Sequence, residues 1–176
     1  MIPFINDYPN LLVIRTLSKD ASLAGLRAGF AAGSAELIEG LCRLRDSFNS
    51  YTTDRLAQAA AVAAIADAAY YDEVNAKIRR TRKRITQELS AMGFSVIPSQ
   101  ANFIFASPPA SLPDKPASTH AISAADFYTQ LREKGILVRH FKQNEIANYL
   151  RISIGTDEEM DTLINACREI ISGSKS

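Results

Sequence analysis

The sequence predicts an α/β fold, and three features of its patterning carry that expectation. Short apolar runs rich in branched and aromatic residues, such as Leu11-Leu12-Val13-Ile14-Arg15 and Asn102-Phe103-Ile104-Phe105-Ala106, read as strands. Longer stretches repeat apolar residues at helical spacing, with Leu37, Ile38, Leu41 and Leu44 as one such face. Both kinds recur along 176 residues whose 47% hydrophobic and 22% charged content is that of an ordinary globular protein of one or two small domains.

Residues 1–10 read as the end of a helix and a Pro/Asn turn. They lead into the run at 11–15, whose unbroken apolar character suits a strand buried on both faces. Residues 29–33 suit another short strand and residues 35–46 an amphipathic helix, which the turn formers of 46–53 interrupt. The alanine-rich stretch 54–70 predicts a helix that packs closely. Val74, Ile78, Ile85, Leu89 and Met92 form a stripe that predicts a long helix over 72–91, ended by Gly93. Phe94–Pro98 and Asn102–Ala106 then read as strands. Pro108, Pro109, Pro113 and Pro116 predict a long surface loop over residues 107–123. Ser123 and Asp126 open a helix that stops at Gly135, and residues 136–141 and 149–154 are the last strands. The capping box Thr156-Asp157-Glu158-Glu159 starts a final helix that buries Met160, Leu163, Ile164, Cys167 and Ile171.

A net charge of +1 argues against a nucleic-acid or membrane partner. The one basic cluster, Lys77, Arg79, Arg80, Arg82, Lys83 and Arg84, has no interleaved aromatic and reads as a solvated helix face. The N-terminus lacks a basic n-region and an apolar h-region, and no apolar run approaches the roughly 20 residues that span a bilayer, so the expected location is cytoplasmic. Cys42 and Cys167, far apart within helical patterns, read as packed thiols. His120 falls in the Pro-rich loop and reads as solvent-exposed, while His140 reads as a strand-end histidine. Neither a nucleophile elbow nor metal-ligand spacing is present.

The chemistry concentrates between Thr16 and Phe30, in the order Thr16-Leu17-Ser18-Lys19, then Ala24-Gly25-Leu26-Arg27-Ala28-Gly29-Phe30. An amine near a fixed guanidinium is pushed towards its neutral, nucleophilic form, which condenses with an aldehyde. The Thr16 and Ser18 hydroxyls and the Arg27 fork are suitable donors for a phosphate. Farther on, Arg139 and Arg151 sit inside apolar strand patterns, where an unpaired guanidinium is costly to bury, so each is expected to have an anionic partner or to face a cavity.

The lysine stretch resembles the pyridoxal-phosphate segment of fold-type I aminotransferases, most closely the histidinol-phosphate aminotransferase branch. That resemblance implies the end of a large domain over residues 1–71, a linking long helix over 72–92 and a small α/β C-terminal domain over 93–176. It implies pyridoxal 5'-phosphate as cofactor, with Lys19 as the Schiff-base lysine and proton carrier and Thr16, Ser18 and Arg27 on the cofactor phosphate. The segment Tyr149-Leu150-Arg151-Ile152-Ser153-Ile154-Gly155-Thr156 resembles the family's C-terminal motif and makes Arg151 the partner of the substrate carboxylate. Arg139, in Gly135-Ile136-Leu137-Val138-Arg139, matches the arginine for a side-chain phosphate, with an internal salt bridge as the competing account. Asn102 resembles the family's inward-facing strand asparagine, and Asp46–Thr53 its loop near the active site where two subunits meet.

The implied reaction is transamination between a small-molecule amino donor, histidinol phosphate, and a 2-oxo acid, 2-oxoglutarate. The alternatives are a decarboxylase-type relative and a non-catalytic interaction module that keeps the fold. The family's pattern places further groups ahead of the lysine strand: a phosphate-binding loop, an aromatic that stacks on the ring and an Asp for the pyridine nitrogen. These are not in the sequence, so the chain is expected to be about the C-terminal half of such an enzyme, inactive alone, and to associate into a homo-oligomer, the family's homodimer, through exposed apolar faces.

Overall fold

The computed structural model describes residues 2–110 and 122–173. The chain divides into two compact units, Met1–Asn75 and Ala76–Ser176.

The first unit opens with a short 3-10 turn over Ile2–Asn6. Strand β1 (Val13–Thr16) pairs antiparallel with β2 (Gly29–Ala32), from Val13 opposite Ala32 to Thr16 opposite Gly29. A Cβ at Gly29 would stand 2.7 Å from the Arg15 carbonyl oxygen, so this approach of the two strands requires glycine. Helix α1 (Ala35–Phe48) starts at Ser34, whose hydroxyl accepts from the Leu37 N–H, and runs two residues past the predicted end. Helix α2 (Arg55–Ala66) is capped in the same way by Asp54, and α3 (Ala68–Ala91) follows one residue later. Leu17, Ala21, Ala28 and Ala64 form a small core, covered by Leu23, Ala61 and Tyr71. The alanines at 61 and 64 present methyl groups only, which lets α2 lie close to the loop that follows β1.

Two expectations fail in this unit. The alanine-rich helix ends at Ala66, not at residue 70, so that α3 already takes up Tyr70 and Tyr71. The strand predicted as buried on both faces is exposed from Ile14 to Thr16, with Ile14 73% accessible. Among the described residues β1 has a single antiparallel neighbour, β2, which leaves Ile14 uncovered.

The second unit is a four-stranded antiparallel sheet in the order β3 (Ser95–Ile97), β4 (Phe103–Ser107), β6 (Leu150–Ser153) and β5 (Arg139–His140). Alternation sends Ile104 and Ala106 of β4, and Leu150 and Ile152 of β6, into the core. There they meet Ile85 and Leu89 of α3, Phe127 and Leu131 of α4 (Ala124–Glu133), and Leu163, Ile164 and Cys167 of α5 (Asp157–Ser172). Phe94 and Phe127 pack edge to face with centroids 5.3 Å apart. Ser123 caps α4, and Thr156 with Glu159 forms the predicted capping box of α5. Burial pushes the Cys167 thiol up to about 12, while Cys42 is half-buried, and both are free.

The strand expected over 136–141 is reduced to Arg139 and His140. Gly135, at φ +78°, turns the chain so that the Ile136 N–H bonds to the Leu131 carbonyl, which closes the end of α4. Pairing with β6 therefore begins only at Arg139, and Leu137 is left 82% exposed. The basic stretch of α3 is also not simply a solvated face. Arg84 pairs with Glu88, Asp157 and Asp161, and Arg168 of α5 joins through Glu88. Most of the Pro-rich loop, with His120, lies outside the described residues, and among the described residues no helix is long and apolar enough to cross a membrane.

Phe127→Ala should lower the stability of the second unit by about 3–5 kcal/mol, read as a shift in the denaturant midpoint. A second prediction concerns acid. Asp157 accepts from the Thr81 hydroxyl at 2.9 Å and pairs with Arg84, and these contacts hold its carboxyl below the usual 3.8. A depressed folded-state value stabilises the fold above the unfolded-state value and is lost as pH falls through the folded one. Asp157→Asn should therefore reduce the loss of thermal stability between about pH 6 and about pH 3; an unchanged loss would remove Asp157 from that account.

Candidate active site

In the first unit, the loop between β1 and β2 is built around Leu17, whose buried side chain anchors it in the small core. The Leu17 N–H bonds to the Ala28 carbonyl, the Leu23 N–H to the Leu17 carbonyl, and the Ser22 N–H to the Lys19 carbonyl. On either side of Leu17, the Thr16 hydroxyl donates to Ser18 Oγ at 2.8 Å and accepts from the Ser18 N–H at 3.1 Å. Asp20 is held twice: its carboxylate pairs with Arg15, and its carbonyl accepts from Asn75 Nδ2 at 3.2 Å. Lys19, between the hydroxyl pair and this anchored aspartate in the chain, is exposed. Ser22 and Arg27 adopt left-handed φ of 56° and 54°, two strained non-glycine positions within six residues of chain. The Arg27 guanidinium turns back onto the Ala24 carbonyl at 3.3 Å and makes no hydrogen bond to Thr16, Ser18 or Lys19, which leaves most of its N–H groups free.

In the second unit, Phe105, Arg151 and Arg139 stand opposite one another across β4, β6 and β5, on the sheet face away from the core. The Arg151 guanidinium carbon lies 5.4 Å from the Phe103 centroid and 5.8 Å from that of Phe141, and Arg139 lies 4.9 Å from Phe141. Phe105 extends this aromatic floor towards Tyr149. Among the described residues neither arginine has a carboxylate within 4.0 Å, so the internal salt bridge that competes for Arg139 is absent. Arg151 is half-buried and its Nε is buried with no hydrogen-bond partner. Adjacent guanidiniums repel each other, and an anion between them would offset that repulsion and satisfy the buried N–H. Asn102 enters β4 with its carbonyl accepting from the Ile154 N–H at 2.9 Å, and its side chain is unengaged among the described residues. His140 is structural, with Nε2 at 2.8 Å from the Ala147 carbonyl.

The structure thus gathers Thr16, Ser18, Lys19 and Arg27 on one loop and Arg139 and Arg151 on one sheet face, while Asn102 stands in the turn that leads into β4. Sequence reasoning missed the groups that hold these places. Asn75 carries no motif and is found only through its contact with Asp20. Phe141 and Tyr149 border the expected strands, but alternation alone does not tell which face they share with the arginines. In the first unit, Tyr51 of the 46–53 loop is 94% exposed, and it lines a cavity of about 890 Å³ with Phe30, Arg45, Gln58 and Val62. Leu41, Leu44 and Phe48 of α1 and Leu56, Val62 and Ile65 of α2 are exposed as well. Among the described residues no group of acidic, His or Cys side chains is arranged to hold a metal.

The sequence pattern of the family described as aminotransferase class I and II matches residues 1–167. A histidinol-phosphate aminotransferase of Clostridium acetobutylicum is 50% identical over 171 residues, covering 97% of this chain and 46% of that protein. The crystal structure of histidinol-phosphate aminotransferase from Sinorhizobium meliloti in complex with pyridoxal-5'-phosphate superposes with a TM-score of 0.75 at 32% identity, over 96% of this chain and 43% of that one. A decarboxylase from Sulfurospirillum multivorans has the same TM-score at 26% identity, over 96% of this chain and 46% of its own. The chain therefore spans about half the length of the proteins it matches, and within that span it belongs to the class I and II aminotransferases.

Proposed function

We propose that this chain carries the imine-forming lysine and the substrate-carboxylate arginine of a pyridoxal-phosphate-dependent aminotransferase that moves the amino group of histidinol phosphate to 2-oxoglutarate. The observation that carries this reading is Arg151, a half-buried guanidinium on an aromatic floor with an unsatisfied Nε and, among the described residues, no carboxylate within 4.0 Å, in the same chain as an exposed lysine beside two hydroxyls. The 50% identity to a histidinol-phosphate aminotransferase supports the substrate. The chain spans 46% of that relative, so the reaction is assigned to the whole protein. The same reading divides the chain into the end of a large domain (1–71), a linking helix (72–92) and a small domain (93–176), with the cytoplasm as its place of work.

The donor set fits pyridoxal phosphate: a hydroxyl pair and a guanidinium with free N–H groups suit a phosphate dianion, and an exposed primary amine suits an aldehyde. When bound, the cofactor supplies that aldehyde and a ring that stores the electron pair released at the substrate Cα. Thr16, Ser18 and Arg27 would hold the phosphate. Lys19 Nζ would hold the aldehyde end of the cofactor and would serve as the base and acid for the proton at the substrate Cα. Arg151 would grip a carboxylate of 2-oxoglutarate through its planar fork, and Arg139 would attract the phosphate of the donor. Asn102 stands at the start of β4, one residue before the Phe103 that supports Arg151. The decarboxylase likeness favours a second reading, in which the same residues hold the cofactor and a Cα–carboxylate bond breaks instead. Release of carbon dioxide from an amino acid that bears a Cα carboxylate, which histidinol phosphate lacks, would select it.

Mixing the chain with pyridoxal phosphate should raise the yellow absorbance of a protonated imine, and Lys19→Ala should abolish it. Equal spectra would reject Lys19 and favour a non-catalytic module. We further propose that the exposed apolar residues of α1 and α2 are covered in a homo-oligomer; light scattering at micromolar concentration should give a mass well above 19.2 kDa, and a clean monomer would refute this.

A further inference from the structure

We infer that Arg82 is a positioning residue for the Arg151 anion site; the inference rests on the reading of Arg151 proposed above. Arg82 lies on α3, four residues after Ile78 and three before Ile85, so it shares the core-facing stripe rather than the solvated face. Its two terminal nitrogens reach one turn: Nη1 donates to the Ala101 carbonyl at 2.6 Å and Nη2 to Gln100 Oε1 at 3.0 Å. The same turn is closed internally by Ser99, whose hydroxyl donates to the Phe103 carbonyl at 2.6 Å and accepts from the Ala101 N–H at 3.1 Å. Ile154 ties down the carbonyl of Asn102. Residues 99–102 are thus fixed between helix and sheet, and they deliver Asn102 and then Phe103, the ring over which the Arg151 guanidinium rests. A charged, two-pronged contact is strong and directional, whereas a lysine there would meet only one of the two acceptors well. Without it the turn is held to the sheet edge alone. The Phe103 ring is then free to shift, and Arg151 loses the support that orients its fork.

The test is binding of 2-oxoglutarate, a dicarboxylate, to the 176-residue chain, followed by NMR on the Arg151 Nε–H signal, with denaturant unfolding in parallel. Arg82→Ala should weaken binding about tenfold, the size expected from a displaced charged hydrogen bond, and should move the Nε–H signal of the free protein. Arg82→Lys should recover part of the affinity. If Arg82→Ala fails to fold, Gln100→Ala, which removes one prong only, should weaken binding by about threefold. Unchanged affinity and an unmoved Nε–H signal beside a lowered unfolding midpoint would make Arg82 merely structural and overturn the inference, as would Gln100→Ala binding like the wild type. Arg151→Gln separates the two levels: if the wild-type chain binds no better than this variant, the Arg151 reading fails and the inference with it; if only Arg151→Gln loses binding, Arg82 alone is refuted.

Discussion

The antiparallel ladder between β4 and β6 sets Ile104 opposite Ile152 on one face and Phe105 opposite Arg151 on the other. Because successive side chains alternate, one register serves two purposes. It commits Ile104, Ala106, Leu150 and Ile152 to a core shared with α3, α4 and α5, and by the same geometry it turns Arg151 outwards onto an aromatic floor. A slip of one residue would bury the guanidinium and expose the isoleucines. The free energy of the core therefore holds the arginine where it can meet an anion, and burial elsewhere offsets the cost of keeping two guanidiniums side by side.

The lysine loop reaches a comparable result with far less core. Leu17 is its one large anchor, and the rest is held by backbone hydrogen bonds, the Thr16–Ser18 hydroxyl pair and the two ties on Asp20. Two non-glycine residues in the left-handed region sit within this small loop, each a cost of order 1–3 kcal/mol that the surrounding bonds must overcome. Local strain around an exposed amine is the pattern expected where a loop is shaped for a ligand rather than for its own stability. The exposed apolar side chains of α1 and α2 match this view, since the small core of the first unit leaves them uncovered.

Much of this was legible in the chain. The caps at Ser123 and Thr156 and the stops at Gly93 and Gly135 act within a few residues, so local patterns located them. The long stripe on α3 was readable for the same reason, as were the lysine, its hydroxyl neighbours and the two strand arginines. Ile14 was misjudged because burial depends on what lies across a strand, which an apolar run does not reveal. The 136–141 strand was overestimated because Gly135 draws Ile136 back to α4 before pairing can begin. Arg82 and Arg84 were counted as one solvated cluster. Their true partners, a turn about twenty residues on and a helix more than seventy residues on, come together only on folding.

By itself, the sequence determined the kind of elements, the helix caps at Ser123 and Thr156, and the residue types that can bind a phosphate, an aldehyde and a carboxylate, because helical and strand periodicity and capping are short-range effects. Only the tertiary structure decided that Arg139 and Arg151 share Phe141 with no carboxylate within 4.0 Å among the described residues, that Asn75 steadies the residue beside Lys19, and that Arg82 reaches the turn before Phe103. Those outcomes depend on which surfaces pack against each other and on where a guanidinium finds or lacks a partner, and such contacts join residues that chain order keeps far apart.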